Sequence, residues 1–479
     1  MTTLTQTSKM TNYRWVICAL LFFATTINYL DRQVLSLTWP SFIGPEFGWT
    51  NDHYGTITSW FSLLYAACML FAGRFVDWLD TKKGFLWAIG IWSFGACLHA
   101  FCGIATAGIA TGTWVFEFEG AKNLIQTVGD SGKIINISVM LFISCRFILA
   151  LGEAGNFPAA IKATAEYNPK RARAFSTSIF NSGATIGAMI APACVLYIAD
   201  AFGWEAAFLL IGLLGFVWMG FWVFLYKKPE QHPRVNKAEL AYIHSDKDST
   251  PSGGDGSRKL TFIECFKFKQ TWAFAFGKFM TDGVWWFYLF WMPKYLKSVF
   301  GLEGTAQVLP LTVLYTIVML SLIGGWLPSY FIDRKRLDPY AGRMRSMLIF
   351  AFFPLLALFA QPLGAYSYWL PVALIGIACA AHQAWSANIF STVGDMFPKT
   401  AIATITGIGG MAGGVGSFII QKGAGQLFDF AGAAKMRFLG FEGEPAGYFI
   451  VFIICAVAYL VGWCVMKALV PRYKPIVVR

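Results

Sequence analysis

The chain has 479 residues, of which 56% are hydrophobic and only 13% charged, with a formal net charge of +12. A soluble chain holds about 25% charged residues, and one exposing this much apolar surface would aggregate, so a lipid bilayer is the solvent this composition calls for. The basic residues fall in short loops between apolar runs and form no stripe on a polar helix, which disfavours nucleic acid as a partner; the ten cysteines include no CxxC and no metal or redox spacing, and behave as small hydrophobes inside apolar runs.

A membrane-crossing helix needs about 20 apolar residues. Runs of that kind centre near residues 25, 64, 95, 147, 187, 215, 284, 318, 353, 378, 412 and 457. They predict an all-α integral membrane protein with twelve transmembrane helices. The first run begins near Trp15 and outlasts the apolar core of about 7–15 residues expected of a secretory signal, so it reads as a retained span. Arg74, Lys82 and Lys83 follow span two, Lys162, Lys170, Arg171 and Arg173 follow span four, and Arg334, Lys335, Arg336, Arg343 and Arg345 follow span eight. The alternate loops are poor in them, which places both termini in the cytoplasm.

Span one is interrupted by charge, in Asn28-Tyr29-Leu30-Asp31-Arg32-Gln33. A charge at mid-membrane costs at least about 2.5–3.5 kcal/mol and faces a cavity or a partner. Apolar residues continue from Val34 to Trp39, so Asp31 and Arg32 lie inside the span and not at a snorkelling end. Between spans two and three, the stretch containing Gly73, Asp77, Lys82, Lys83 and Gly84 reads as a gating and packing motif. Glycine permits close helix approach, and the charges cap and latch helix ends. The stretch 106–133 reads as an outside insertion rich in Gly and Thr, a decorative loop or a lid.

Span four carries Arg146 and Glu153. Seven residues are nearly two turns, so both project from one face, about 10 Å apart. A structural intrahelical pair would stand at i,i+3 or i,i+4. Each group must therefore find another partner, such as Asp31, a bound anion or water. Residues 227–270 form a polar stretch, with Thr-Pro-Ser-Gly-Gly-Asp-Gly-Ser at 250–257, and read as a flexible cytoplasmic linker. It divides the chain into bundles of six spans at 1–226 and 271–479.

Span seven contains Trp285 and Trp286, and span ten His382, Gln383, Trp385, Ser386 and Asn388. Amphipathic rings and amides suit a sugar: rings stack on C–H faces and amides bond hydroxyls. Core packing accounts for the same residues, and for a lone His it is the commoner role. The halves also repeat. Glu166-Tyr-Asn-Pro169-Lys170 matches Asp395-Met-Phe-Pro398-Lys399, and Gly187 falls on Gly416 at the same offset. Pro40 with Phe47-Gly48 matches Pro293 with Phe300-Gly301 at a second constant offset. A weak internal repeat in a polytopic chain marks a transporter built from two related halves. The first offset carries Glu153 onto His382, which makes His382 a pore-facing candidate.

At these residues the chain resembles the major facilitator superfamily, and within it the anion:cation symporter family, most closely its bacterial hexuronate branch. The Gly73–Gly84 stretch resembles the superfamily's loop motif. Asp31-Arg32, Arg146 with Glu153 seven residues later, Pro169-Lys-Arg171-Ala-Arg173 and Phe180-Asn-Ser-Gly183 resemble the family. Thr281-Asp282-Gly-Val-Trp-Trp-Phe-Tyr-Leu-Phe-Trp-Met-Pro-Lys-Tyr-Leu296 resembles the hexuronate branch. The resemblance implies a symporter importing sugar-acid anions with protons by alternating access, in a bacterial inner membrane. It implies Asp31 and Glu153 as proton-coupling acids, Arg32 and Arg146 as anion-binding arginines, and Tyr29 and Tyr65 as lining tyrosines. No cofactor is expected beyond the proton as coupling ion; the partners are a small organic anion and the bilayer, and a monomer is expected. Ala184 stands where galactonate carriers of the family have a Gln, which argues against galactonate. The insertion at 106–133 is longer than the family's loop.

An enzyme would need a catalytic constellation such as an HExxH helix or a GxSxG elbow, and the sequence contains neither. A channel would ring its pore with charge, whereas these charges sit at two discrete depths. An efflux antiporter and a carrier of another organic anion, an aldonate or glucarate, remain the alternatives.

Overall fold

A computed structural model describes residues 10–245, 261–398 and 401–476. Twelve long helical stretches run through them. Spans 1 to 6 are Arg14–Thr38, Asn51–Leu79, Thr81–His99, Ser131–Tyr167, Lys170–Phe202 and Trp204–Leu225. Spans 7 to 12 are Lys269–Phe300, Gly304–Arg334, Pro339–Gly364, Trp369–Met396, Ile402–Ala433 and Glu444–Leu469. Eight of these are long and apolar enough to cross a membrane, and span 3 joins them with its continuation Cys102–Thr111, bent by 54°. Spans 1, 7 and 11 are as long, at 25, 32 and 32 residues, but carry charged, polar and glycine residues in mid-helix. At 1.5 Å per residue each still exceeds a hydrocarbon core of about 30 Å.

The helix starts follow from local chemistry. Asp130 accepts the Lys133 amide at 3.0 Å and opens span 4. Asp338 accepts the Ala341 amide at 2.9 Å, with Pro339 in the first turn of span 9, where its missing N–H costs nothing. Span 1 packs on span 5 as span 7 packs on span 11, and the first six spans meet the last six along 2 against 11, 5 against 8 and 1 against 7.

The internal repeat is visible in the backbone. Gly48 and Gly301, matched in sequence, end equivalent helices with φ of 72° and 66°, a left-handed conformation that only glycine adopts without strain. Gly187 and Gly416 lie equally close to their neighbours. A methyl on Gly187 would fall 2.4 Å from the Thr26 carbonyl, and one on Gly416 2.0 Å from that of Phe279. The second offset carries Thr26 onto Phe279, so each half repeats the same helix crossing.

Three expectations are corrected. The 106–133 insertion is not a loop: its first part extends span 3 to Thr111, where Gly112 at φ 77° stops it. Phe118–Gln126 then forms an amphipathic helix with Ala121 and Ile125 buried. The linker is not wholly solvated either. Its helix Lys237–His244 places Glu239 at the start of span 1. There Glu239 accepts the Tyr13 amide at 2.8 Å and the Arg14 amide at 3.0 Å. The Gly-Ser segment 250–257 and Lys399 lie outside the described residues. In the span 2–3 motif, Gly84 fits closely, with Val76 Cα 3.0 Å from a hypothetical Cβ, but Gly73 has nothing within 4 Å. Among the described residues, then, no helix approaches Gly73 closely. The charges do latch helix ends: Lys82 donates to the Val223 carbonyl at 2.7 Å and Asp77 pairs with Lys162 at 3.0 Å. Lys83 is exposed.

The end bearing the linker and the chain ends is here termed the linker end, and the opposite one the far end. At the far end the two sets of spans are bonded together. Asp429 of span 11 accepts the amides of Asn51 and Asp52 at 3.0 and 2.8 Å, capping span 2 from across the interface. Lys422 reaches Asp52 at 2.5 Å and Thr56 at 2.7 Å. Deeper, Ser417 donates to Ser62 at 3.0 Å. Among the described residues no polar contact joins spans 1–6 to spans 7–12 at the linker end. Asp429→Ala removes a cap worth about 1 kcal/mol and bonds to a charged acceptor worth about 1.5–3 kcal/mol. Amide hydrogen exchange over Asn51–Tyr54 is expected to rise by about tenfold or more; unchanged protection would show that the closure does not depend on this carboxylate.

Candidate functional site

Span 1 brings Asp31 and Arg32 to mid-bundle because the helix buries the whole stretch Leu30–Thr38. Span 4 brings Arg146 and Glu153, both buried. The four charged groups that the sequence singled out therefore share one interior. Their pairing is not the one that spacing suggested. Glu153 meets Arg32 of span 1: Oε2 accepts from Nη2 at 2.6 Å and from Nε at 2.9 Å. The two side chains are 0% and 4% exposed, so this is a pair held out of water.

Rings enclose the Arg32 guanidinium. Tyr29, Tyr65 and Trp286 lie 4.9, 4.7 and 4.9 Å from its carbon, and Phe61 lies 6.0 Å away. Such contacts suit a delocalised planar cation more than an ammonium. Trp286 comes from span 7, so rings from both halves close on one cation. Arg146 lies 5.1 Å from the face of Phe61.

The remaining valences are the informative ones. Both oxygens of Asp31, Oε1 of Glu153 and Nη1 of Arg146 are buried with no hydrogen-bond partner among the described residues. Trp92 faces Asp31 without closing a bond to it. An isolated buried charge is costly, and such groups neutralise or find a ligand. Two cations and two acids thus share one interior, with only Arg32 and Glu153 bonded to each other among the described residues.

The residues from span 10 lie elsewhere. His382 stacks on Trp285 with ring centroids 5.6 Å apart and planes 6° apart, and its Nδ1 meets the Tyr459 hydroxyl at 2.8 Å. Trp385 packs against Tyr459. Asn388 donates to the Gly324 carbonyl of span 8 at 3.0 Å and to the Ala384 carbonyl of its own helix at 2.8 Å. Gln383 and Ser386 are half-buried. None of these five is among the rings around Arg32. The repeat explains the His382 contact: its two offsets carry Arg32 onto Trp285 and Glu153 onto His382. The ion pair of the first half is thus replaced by a stacked ring pair in the second.

Spacing missed three participants. Phe61 and Trp92 sit in ordinary apolar runs. Lys278 stands in span 7 four residues before Asp282 and pairs with it at 2.7 Å; a lysine and an aspartate at i,i+4 within an apolar run were a readable signal.

The Major Facilitator Superfamily sequence profile matches residues 21–420. The chain belongs to that superfamily. It is accordingly a member of a transporter superfamily and not an enzyme. Within the Major Facilitator Superfamily it is similar to the hexuronate transporter of Escherichia coli (strain K12), at 25% identity over 89% of this chain and 90% of that one. It is also similar to the galacturonate transporter of Dickeya chrysanthemi, at 25% identity over 67% and 84% of the two chains. Its fold matches a bacterial homologue of the human lysosomal transporter Spinster, with a TM-score of 0.69 at 16% identity, covering 97% of this chain and 99% of the other.

Proposed function

We propose that the protein is a proton-coupled symporter that imports sugar-acid anions, foremost hexuronates such as glucuronate and galacturonate, across a bacterial inner membrane. One observation supports it above others: buried Arg32 and Arg146 share an interior with Asp31 and Glu153, whose free oxygens have no hydrogen-bond partner among the described residues. The similarity to transporters named for hexuronate and galacturonate supports the substrate class.

The charges explain the coupling. With both acids ionised the four groups sum to zero, and Glu153 occupies the guanidinium that an anion would need. A proton on Glu153 releases Arg32, and a proton on Asp31 leaves Arg146 uncompensated. Proton and anion binding thus favour one another, which is the reciprocity a symporter requires. On this reading Tyr29, Tyr65 and Trp286 line the path, and Trp285 with His382, Gln383, Trp385, Ser386 and Asn388 supports it from behind. The bundles 1–226 and 271–479 rock about the site, with 227–270 between them. The basic loops put the linker end and both termini in the cytoplasm, so the bonded far end faces outward and the structure is closed on that side. A monomer suffices, since the site lies wholly within one chain.

Proteoliposome uptake of labelled glucuronate, galacturonate, galactonate and glucarate, with and without an inward proton gradient, tests this. Gradient-stimulated hexuronate uptake is expected; uptake that an inward gradient slows would favour an antiporter. Trp286 gives a sharper expectation. Its indole covers Arg32 from the other half, so Trp286→Ala should raise the apparent Kd about tenfold, or about 1.4 kcal/mol. Equilibrium binding measures it, and an unchanged constant would reduce that indole to helix packing.

A further inference from the structure

Span 7 holds a second ion pair deep in the bundle. Lys278 Nζ lies 2.7 Å from Asp282 Oδ2, and the side chains are 6% and 16% exposed. Lys278, Asp282 and Trp286 follow one another at i, i+4 and i+8, so they share a stripe of the helix. Trp286 touches Arg32, and the pair lies about 6 and 12 Å from it towards the linker end, at 1.5 Å per residue. Residues of the first site and of span 10 lie near the pair. Asp282 is in electrostatic range of Tyr29, which stacks on Arg32, and of Tyr459. Lys278 is in range of His382 and lies 4.2 Å from the face of Phe390. Gly413 of span 11 leaves room for the carboxylate: a methyl there would fall 2.2 Å from Oδ2.

Stability alone does not account for the pair. Lysine before aspartate is the less favourable order at i,i+4, and a buried pair is commonly no more stable than apolar residues of similar volume. We propose that Lys278 and Asp282 form a second binding site for hydroxylated carboxylates, occupied in passing between the arginines and the linker end. This rests on the anion-carrier reading above. An anion leaving Arg32 and Arg146 displaces Asp282 from Lys278 and pairs with the ammonium. Its hydroxyls then donate to the released Asp282 carboxylate, so that neither charge is left bare. One carboxylate replaces another, and the step creates neither a deep well nor a high barrier.

The test uses the full chain in proteoliposomes, with glucuronate as probe and galacturonate and glucarate beside it. Exchange and equilibrium binding are measured for the wild type, Lys278→Met, Lys278→Arg and the double variant Lys278→Met/Asp282→Leu. Lys278→Met should slow exchange about tenfold while leaving the Kd within about twofold, a loss of rate without loss of the main site. Lys278→Arg should retain most of the rate. The double variant, apolar at both positions, should unfold at the wild-type temperature yet stay as slow as Lys278→Met. Recovery of wild-type exchange by the double variant would overturn the proposal, because charge compensation would then be the whole role of the pair. If Lys278→Met does not fold, the double variant carries the comparison alone. If the wild type itself neither binds nor exchanges any of the three anions, the carrier reading has failed, and this site with it.

Discussion

Glu153→Gln carriers are expected to lose uptake driven by a pH gradient and to keep substrate–substrate exchange at equal pH. The amide mimics a permanently protonated acid. It no longer neutralises Arg32, to which Glu153 is bonded at 2.6 Å, so the guanidinium is free for an anion in every cycle. The loaded carrier can still pass between its two faces, but the step that requires proton release from this position cannot occur. Net uptake should therefore fall to the level of the empty-vesicle control. Were Glu153 merely a strut between spans 1 and 4, both activities would decline together with thermal stability. Measuring both in one proteoliposome batch decides between them, and full gradient-driven uptake by the mutant would sink the mechanism.

Arg32→Ala should abolish binding while leaving a folded protein. The guanidinium is ringed by Tyr29, Phe61, Tyr65 and Trp286, and alanine removes the cation from the middle of that box. Truncating one partner of a buried charge pair between protein and ligand costs about 2–5 kcal/mol of binding, about thirtyfold or more in Kd. The same change leaves Glu153 without its donor, and protonation of that carboxyl in the mutant relieves the cost to the fold. Thermal stabilisation by glucuronate should vanish while the mutant stays monodisperse. Stabilisation of the wild-type size would show that Arg146 alone anchors the anion.

The composition and the apolar runs were enough to read an all-helical membrane protein, because a bilayer requires about 20 apolar residues for each crossing, whereas the full length of spans 1, 7 and 11, interrupted by polar and glycine residues, came from the helices themselves. The internal repeat was readable for a similar reason: a turn at φ 72° or 66°, or a helix crossing with no room for a methyl, admits only glycine. Asp31, Arg32, Arg146 and Glu153 stood out because a charge in an apolar run is expensive. Their partners did not. Sequence distance says nothing about which helix faces which, so the bond of Glu153 to Arg32, 121 residues away, was decided by the packing of span 1 beside span 4. The same packing set Trp286 over Arg32 while turning its neighbour Trp285 to His382. Adjacent residues differ by about 100° around a helix, and only the neighbouring helices determine which of the two faces the site.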